Sequence, residues 1–95
     1  MNHFNKLTPA EAERLALLLE EMGEAQQAIG KILRHGYESQ NPFQPGPTNR
    51  DRLEKELGDV QHAIDLLCRS DVNRDRIDKC EILKRQAISQ YLHHQ

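Results

Sequence analysis

Residues 8–36 read TPAEAERLALLLEEMGEAQQAIGKILRHG, and this stretch decides the fold. Thr8 can cap a helix and Pro9 suits the first helical position. Glu11, three residues after Thr8, completes a capping box. Apolar residues then recur at helical spacing through Leu15, Leu18, Leu19, Met22, Ala25, Ile29, Ile32 and Leu33. Gly36 can end the run as a C-cap. The spacing predicts one helix from about Pro9 to His35. Gly23 and Gly30 lie inside it, where each costs about 1 kcal/mol relative to alanine, so each can mark close packing.

Working outward, residues 36–48 read as a loop, because Asn41-Pro42, Gln44-Pro45 and Gly46-Pro47 all oppose helix. Such a long connection in a small domain is usually a functional lid or disordered. Thr48 or Asn49 can cap a second helix carrying Leu53, Leu57, Val60, Ala63, Ile64 and Leu67, ending near Ser70. Asp71 or Asn73 can cap a third, with Ile77, Cys80, Ile82, Leu83, Ala87, Ile88, Tyr91 and Leu92 on its stripe. No repeat and no strand alternation interrupts this pattern. The expected architecture is all-α: one domain over residues 1–95, with three main helices per chain. Three helices with this stripe width cannot close a core alone, so dimerisation is expected to complete a four-helix-type bundle, as a homodimer or homotetramer.

Composition agrees with a small domain. The chain has 95 residues, enough for one thin core, and only 4% aromatics, so any core is aliphatic. The net charge of −2 comes without a basic stripe or an aromatic ladder, which argues against nucleic-acid binding. The longest apolar run, Leu15 to Leu19, is far too short to span a membrane, and the N-terminus has no signal-peptide core. Cys68 and Cys80 form no CxxC pair, fall in helical stripes and read as small core residues. A cytoplasmic location is expected.

Helical wheels turn the pattern into chemistry. With Leu15 at zero, the main stripe of the first helix spans roughly 300° to 40°. Glu21 falls near 240°, among Leu17, Ala25, Ala28 and Ile32, and Glu24 lies close by at about 180°. With Leu53 at zero, the apolar arc of the second helix runs from about 220° to about 40°, and Glu56 near 300° and Asp59 near 240° both fall inside it. The acids Glu54 and Asp65 take the opposite face. A carboxylate against apolar surface costs several kcal/mol unless paired or ligated. Arg52, at the margin, is the one basic residue in the arc around Glu56 and Asp59. A divalent cation is therefore the better partner, and four oxygen donors without a thiolate suit Mg²⁺ or Mn²⁺ rather than Zn²⁺. The bland alternative is an ordinary set of ion pairs at a bundle edge.

Glu20-Glu21-Met22-Gly23-Glu24 followed by Glu56-Leu57-Gly58-Asp59-Val60 resembles the EExxE…ExxD signature of the MazG-like, all-α nucleoside triphosphate pyrophosphohydrolases. The resemblance covers the first two helices, and the tail from Tyr91 to Gln95 looks like that of small phage or prophage members, which places the expected location in a bacterial or phage-infected host cell. It implies a Mg²⁺-dependent enzyme that hydrolyses a (d)NTP to a (d)NMP and pyrophosphate. Glu21, Glu24, Glu56 and Asp59 then correspond to the metal ligands and catalytic acids. Glu20 matches the first glutamate of the motif, but near 140° on the wheel it is a supporting or merely solvated acid. Family logic also asks for a basic residue on the substrate's phosphates, with Lys84 on the third helix and Lys31 on the first as candidates. The 31 residues between Glu24 and Glu56 exceed the usual gap.

Other readings compete. Asp59-x-x-His62 is half of a di-iron motif, but the first helix offers Glu24-x-x-Gln27 where a second histidine belongs. Tyr37 and Phe43 can stack on a base or anchor the loop. His93 and His94 have no assigned role. The alternative to an enzyme is a non-catalytic helical module that binds a nucleotide or a protein.

Overall fold

In a computed structural model the chain is all-helical, with described residues 4–43 and 45–95 and no strand among them. Three α-helices follow in order: α1 Pro9–His35, α2 Asn49–Ser70 and α3 Arg74–Ile88, then a 3₁₀ turn at Ser89–Tyr91. Local chemistry sets these boundaries. Thr8 Oγ1 accepts from the Glu11 amide (3.1 Å), while Glu11 Oε1 accepts from the Thr8 amide (2.8 Å). The same box recurs at α2, with Thr48 and Asp51 (3.0 and 3.1 Å). Asn73 caps α3 by accepting from the Arg76 amide at 3.0 Å. Each box satisfies orphan amides that a bare helix start leaves open. Gly36 ends α1 with φ +89°, a backbone setting that side chains resist, and its amide donates to the Ile32 carbonyl at 2.7 Å.

Helices α1 and α2 form an antiparallel hairpin. One end is held by Arg14, whose guanidinium grips both carboxylate oxygens of Asp71 (2.7 and 2.8 Å). That pairing holds the Asp71 carboxyl below the usual carboxylate range. The other end is held by the loop. The Asn49 amide donates to the Ser39 carbonyl (3.0 Å), the Arg50 amide to the Tyr37 carbonyl (2.8 Å), and the Asn49 side chain to the Gly36 carbonyl (3.1 Å). The Arg50 guanidinium stacks 4.3 Å from the centre of the Tyr37 ring and pairs with Glu38 at 2.6 Å. Tyr37, although about half open to solvent, is held by Arg50 at the loop's edge, whereas Phe43 is almost fully exposed.

Between these ends the hairpin core is small. The buried residues are Ala25 and Ala28 on α1 and Ala63 and Leu67 on α2, the two helices that pack together. Periodicity identifies a broad apolar arc on α1, and the hairpin uses only one side of it. Leu15, Leu19, Met22, Ile29 and Leu33, the centre of the expected stripe, are exposed. Helix α3 buries no residue, although Arg74 at its start pairs with Asp65. Cys80, expected in a core, is exposed, and Cys68 is half-buried. The third helix also stops at Ile88, before Tyr91 and Leu92, which the stripe had included.

Candidate metal centre

The four singled-out acids occupy the middle of the hairpin. Glu21 and Glu24 lie one turn apart on α1, and Glu56 and Asp59 likewise on α2. Each offers a carboxylate oxygen, and these oxygens lie within 4.8 Å of one another. All four residues are half-buried. They come so close because alanines line the hairpin seam. Small side chains let the helices approach, and the longer glutamates reach across.

Two oxygens identify what the cluster lacks. Glu21 Oε2 and Glu56 Oε2 are buried and have no hydrogen-bond partner. A buried acceptor left unmade costs about 1–3 kcal/mol, more for a charged group. Lys55 supplies one positive charge: its Nζ lies 2.8 Å from Asp59 Oδ2 and 3.7 Å from Glu56 Oε1. The bond to Asp59, with the charges of Asp59 and Glu56, raises the Lys55 pKa above its ordinary value. Among the described residues Lys55 is the cation in ion-pair contact with the cluster, so three of the four formal negative charges have no ion-pair partner of their own. All four donors are hard oxygens, which fits Mg²⁺ or Mn²⁺.

Wheel reasoning missed Lys55. It lies outside the apolar arc of α2, so Arg52 alone had seemed available, yet its long stem brings the ammonium to Asp59. The i,i+4 spacing of Lys55 and Asp59 was the available signal.

A cleft of about 300 Å³ opens beside the acids. Glu24 and Glu56 form one part of its wall, and Lys31, Arg52 and Lys55 bring three cations to it. A second cleft of about 510 Å³ shares Lys31, Asn49 and Arg52 with the first and extends to Arg34, Gln40 and Asn41 in the loop. Lys31 lines both clefts. Lys84 belongs to α3 and lines neither cleft, because α3 does not pack along the hairpin. Glu20 is exposed and outside the cluster, as is His62. The described residues therefore bring together four carboxylates without a histidine, a set that does not fit the di-iron pattern.

No family profile, no curated protein and no solved structure matches this chain. No helix of the described residues is long and apolar enough to cross a membrane.

Proposed function

We propose that this chain is a divalent-cation-dependent nucleotide pyrophosphohydrolase of the MazG-like type, splitting a (d)NTP into a (d)NMP and pyrophosphate. One observation carries the reading. Four carboxylates from two helices converge within 4.8 Å, two of their oxygens are buried without partners, and a cleft lined by three cations adjoins them. Acids alone would suit a bare cation site. Acids beside cations suit a ligand that carries negative charge and brings a metal with it.

Glu21, Glu24, Glu56 and Asp59 would hold Mg²⁺ or Mn²⁺, which when bound neutralises phosphate oxygens and lowers the pKa of water. The chain's own residues supply the rest. Lys31, Arg52 and Lys55 orient the phosphate chain and offset the charge that grows on the leaving group. A carboxylate oxygen of the cluster accepts the proton of the attacking water. The new bond forms between water oxygen and the α-phosphorus. The bond from that phosphorus to the α,β-bridging oxygen breaks, and pyrophosphate leaves with its electron pair. The reaction needs no redox partner, and its setting is the cytoplasm of a bacterial or phage-infected cell.

A second reading is a non-catalytic helical module, favoured by the ion pairs that Lys55 makes with Asp59 and Glu56. Incubating the pure protein with a panel of canonical and modified triphosphates, in Mg²⁺ and then Mn²⁺, separates the two. The enzyme yields monophosphate and pyrophosphate in equal amounts, and Glu56→Gln abolishes the yield. Orthophosphate as the product, or silence across the panel in both metals, refutes the catalytic reading.

A further inference from the structure

The second cleft, about 510 Å³, is larger than the one beside the acids and opens where the loop meets the hairpin. Lys31 and Arg34 reach it from the last turns of α1, and Arg52 from the first turn of α2. None of these three is held in an ion pair among the described residues. No carboxylate lines the cleft. Its charged groups therefore offer hydrogen-bond donors only.

Three side-chain amides complete the wall, and a loop bond engages one end of each. Gln40 Nε2 donates to the Gly46 carbonyl (2.8 Å), and Asn49 Nδ2 donates to the Gly36 carbonyl (3.1 Å). Each keeps its own carbonyl oxygen as an acceptor. Asn41 is set the other way. Its Oδ1 accepts from the Phe43 amide (2.9 Å), which leaves its amino group as a donor. The cleft thus combines an arginine fork and an amide donor with two amide acceptors.

We infer that this cleft is the nucleoside subsite and that it selects guanine. The inference rests on the nucleotide pyrophosphohydrolase reading and deepens it by naming the base. The two clefts share Lys31, Asn49 and Arg52. A nucleotide with its phosphates beside the acids reaches the second cleft along that common wall. Guanine sets two acceptors, O6 and N7, side by side, a pattern that the Arg34 fork matches with two bonds. Its N1–H and exocyclic amino group are donors that suit the carbonyl oxygens of Gln40 and Asn49. The Asn41 amino group adds a further donor for the ring's acceptors. Adenine would turn an amino group toward the arginine, donor against donor. Cytosine would do the same, and uracil and thymine have O4 without a neighbouring ring acceptor. Gln40 and Asn41 belong to the long connection that exceeds the usual gap in the signature, so this base reading belongs to the chain's own loop.

Binding of nucleoside monophosphates to the full chain in EDTA tests the subsite apart from turnover. Titration calorimetry compares GMP, AMP, UMP and CMP. GMP is expected to bind at least tenfold more tightly than the others, the discrimination of one bidentate base contact. Arg34→Met is expected to remove that preference and leave AMP binding within twofold. Arg34→Lys does not restore it, because a lysine keeps the charge without the fork. Gln40→Ala is expected to weaken GMP binding several-fold. Arg34 and Gln40 are exposed, so circular dichroism should stay helical in each variant. Equal affinity for GMP and AMP, tighter binding of a pyrimidine nucleotide, or no binding of any monophosphate at millimolar concentration overturns the inference. So does a guanine preference that survives both Arg34→Met and Gln40→Ala. The triphosphate panel separates this failure from that of the catalytic reading. Pyrophosphate release regardless of base overturns the guanine subsite and leaves the hydrolase standing. Selective GMP binding without turnover of any triphosphate supports the subsite and removes the hydrolase.

Discussion

Glu56→Gln removes one charge from a set of carboxylates whose oxygens lie within 4.8 Å of one another. Two like charges at that separation repel by about 3.5 kcal/mol at an effective dielectric near 20. Glu56 has three such neighbours and one attractive partner, Lys55, at 3.7 Å. Without metal the balance is repulsive, although solvent reaching Asp59 and Lys55 reduces it. The amide of the variant can also donate to Glu21 Oε2, which lacks a partner. Metal-free Glu56→Gln is therefore expected to be more stable than wild type by about 1–2 kcal/mol, at roughly 4–8 °C of melting temperature per kcal/mol. Metal reverses the order. A ligand at a hundred times its Kd stabilises the folded chain by about 2.7 kcal/mol, and the variant forfeits most of this. Melts followed by circular dichroism, at one protein concentration, in EDTA and in excess Mg²⁺, read both halves. The two curves should exchange places. A variant that melts lower in EDTA, or that gains as much from Mg²⁺ as wild type, refutes the claim that these acids await a cation.

The remaining predictions concern the cleft and the hairpin. Lys31→Ala is expected to lower kcat/KM about 10- to 100-fold in steady-state assays of pyrophosphate release, the loss of one charge-assisted hydrogen bond, while Lys84→Ala leaves it within twofold. Leu67→Ala deletes the largest buried side chain of the hairpin core and should cost about 2–5 kcal/mol in urea unfolding. Asp71→Asn should melt lower at neutral pH. Because Arg14 depresses the Asp71 pKa, that contribution is present above the usual carboxylate range and disappears as pH falls through the depressed value. The gap between variant and wild type should accordingly close as pH falls through that depressed value, and a gap that persists in acid contradicts the assignment.

The helix ends were legible because their determinants are local. Thr8 with Glu11, and Thr48 with Asp51, each lie within four residues, and the structure uses both boxes. The four acids could be singled out for a related reason: a wheel places a residue against its own helix's apolar arc without knowing the neighbour. What the wheel does not carry is reach. Lys55 is off the arc yet touches Asp59, because a lysine stem extends several ångströms beyond its Cβ direction. Nor does periodicity say which side of a wide stripe meets which partner. The arc of α1 runs through both Ala28 and Leu19, and only tertiary packing assigns the alanines to α2. The position of Lys84 relative to the acids is not legible for the same reason, since it depends on where α3 goes, and nothing within α3 determines that.

The hairpin is pinned at both extremities, by the Arg14–Asp71 grip at one and the loop bonds around Asn49 at the other. A beam fixed at two supports resists splaying most stiffly when the supports are sound, and the acids lie at mid-span. An arriving ion would meet donors already gathered and would have little ordering left to impose. Cutting either support should then slacken the grasp on the cation from a distance, without altering any atom that touches it.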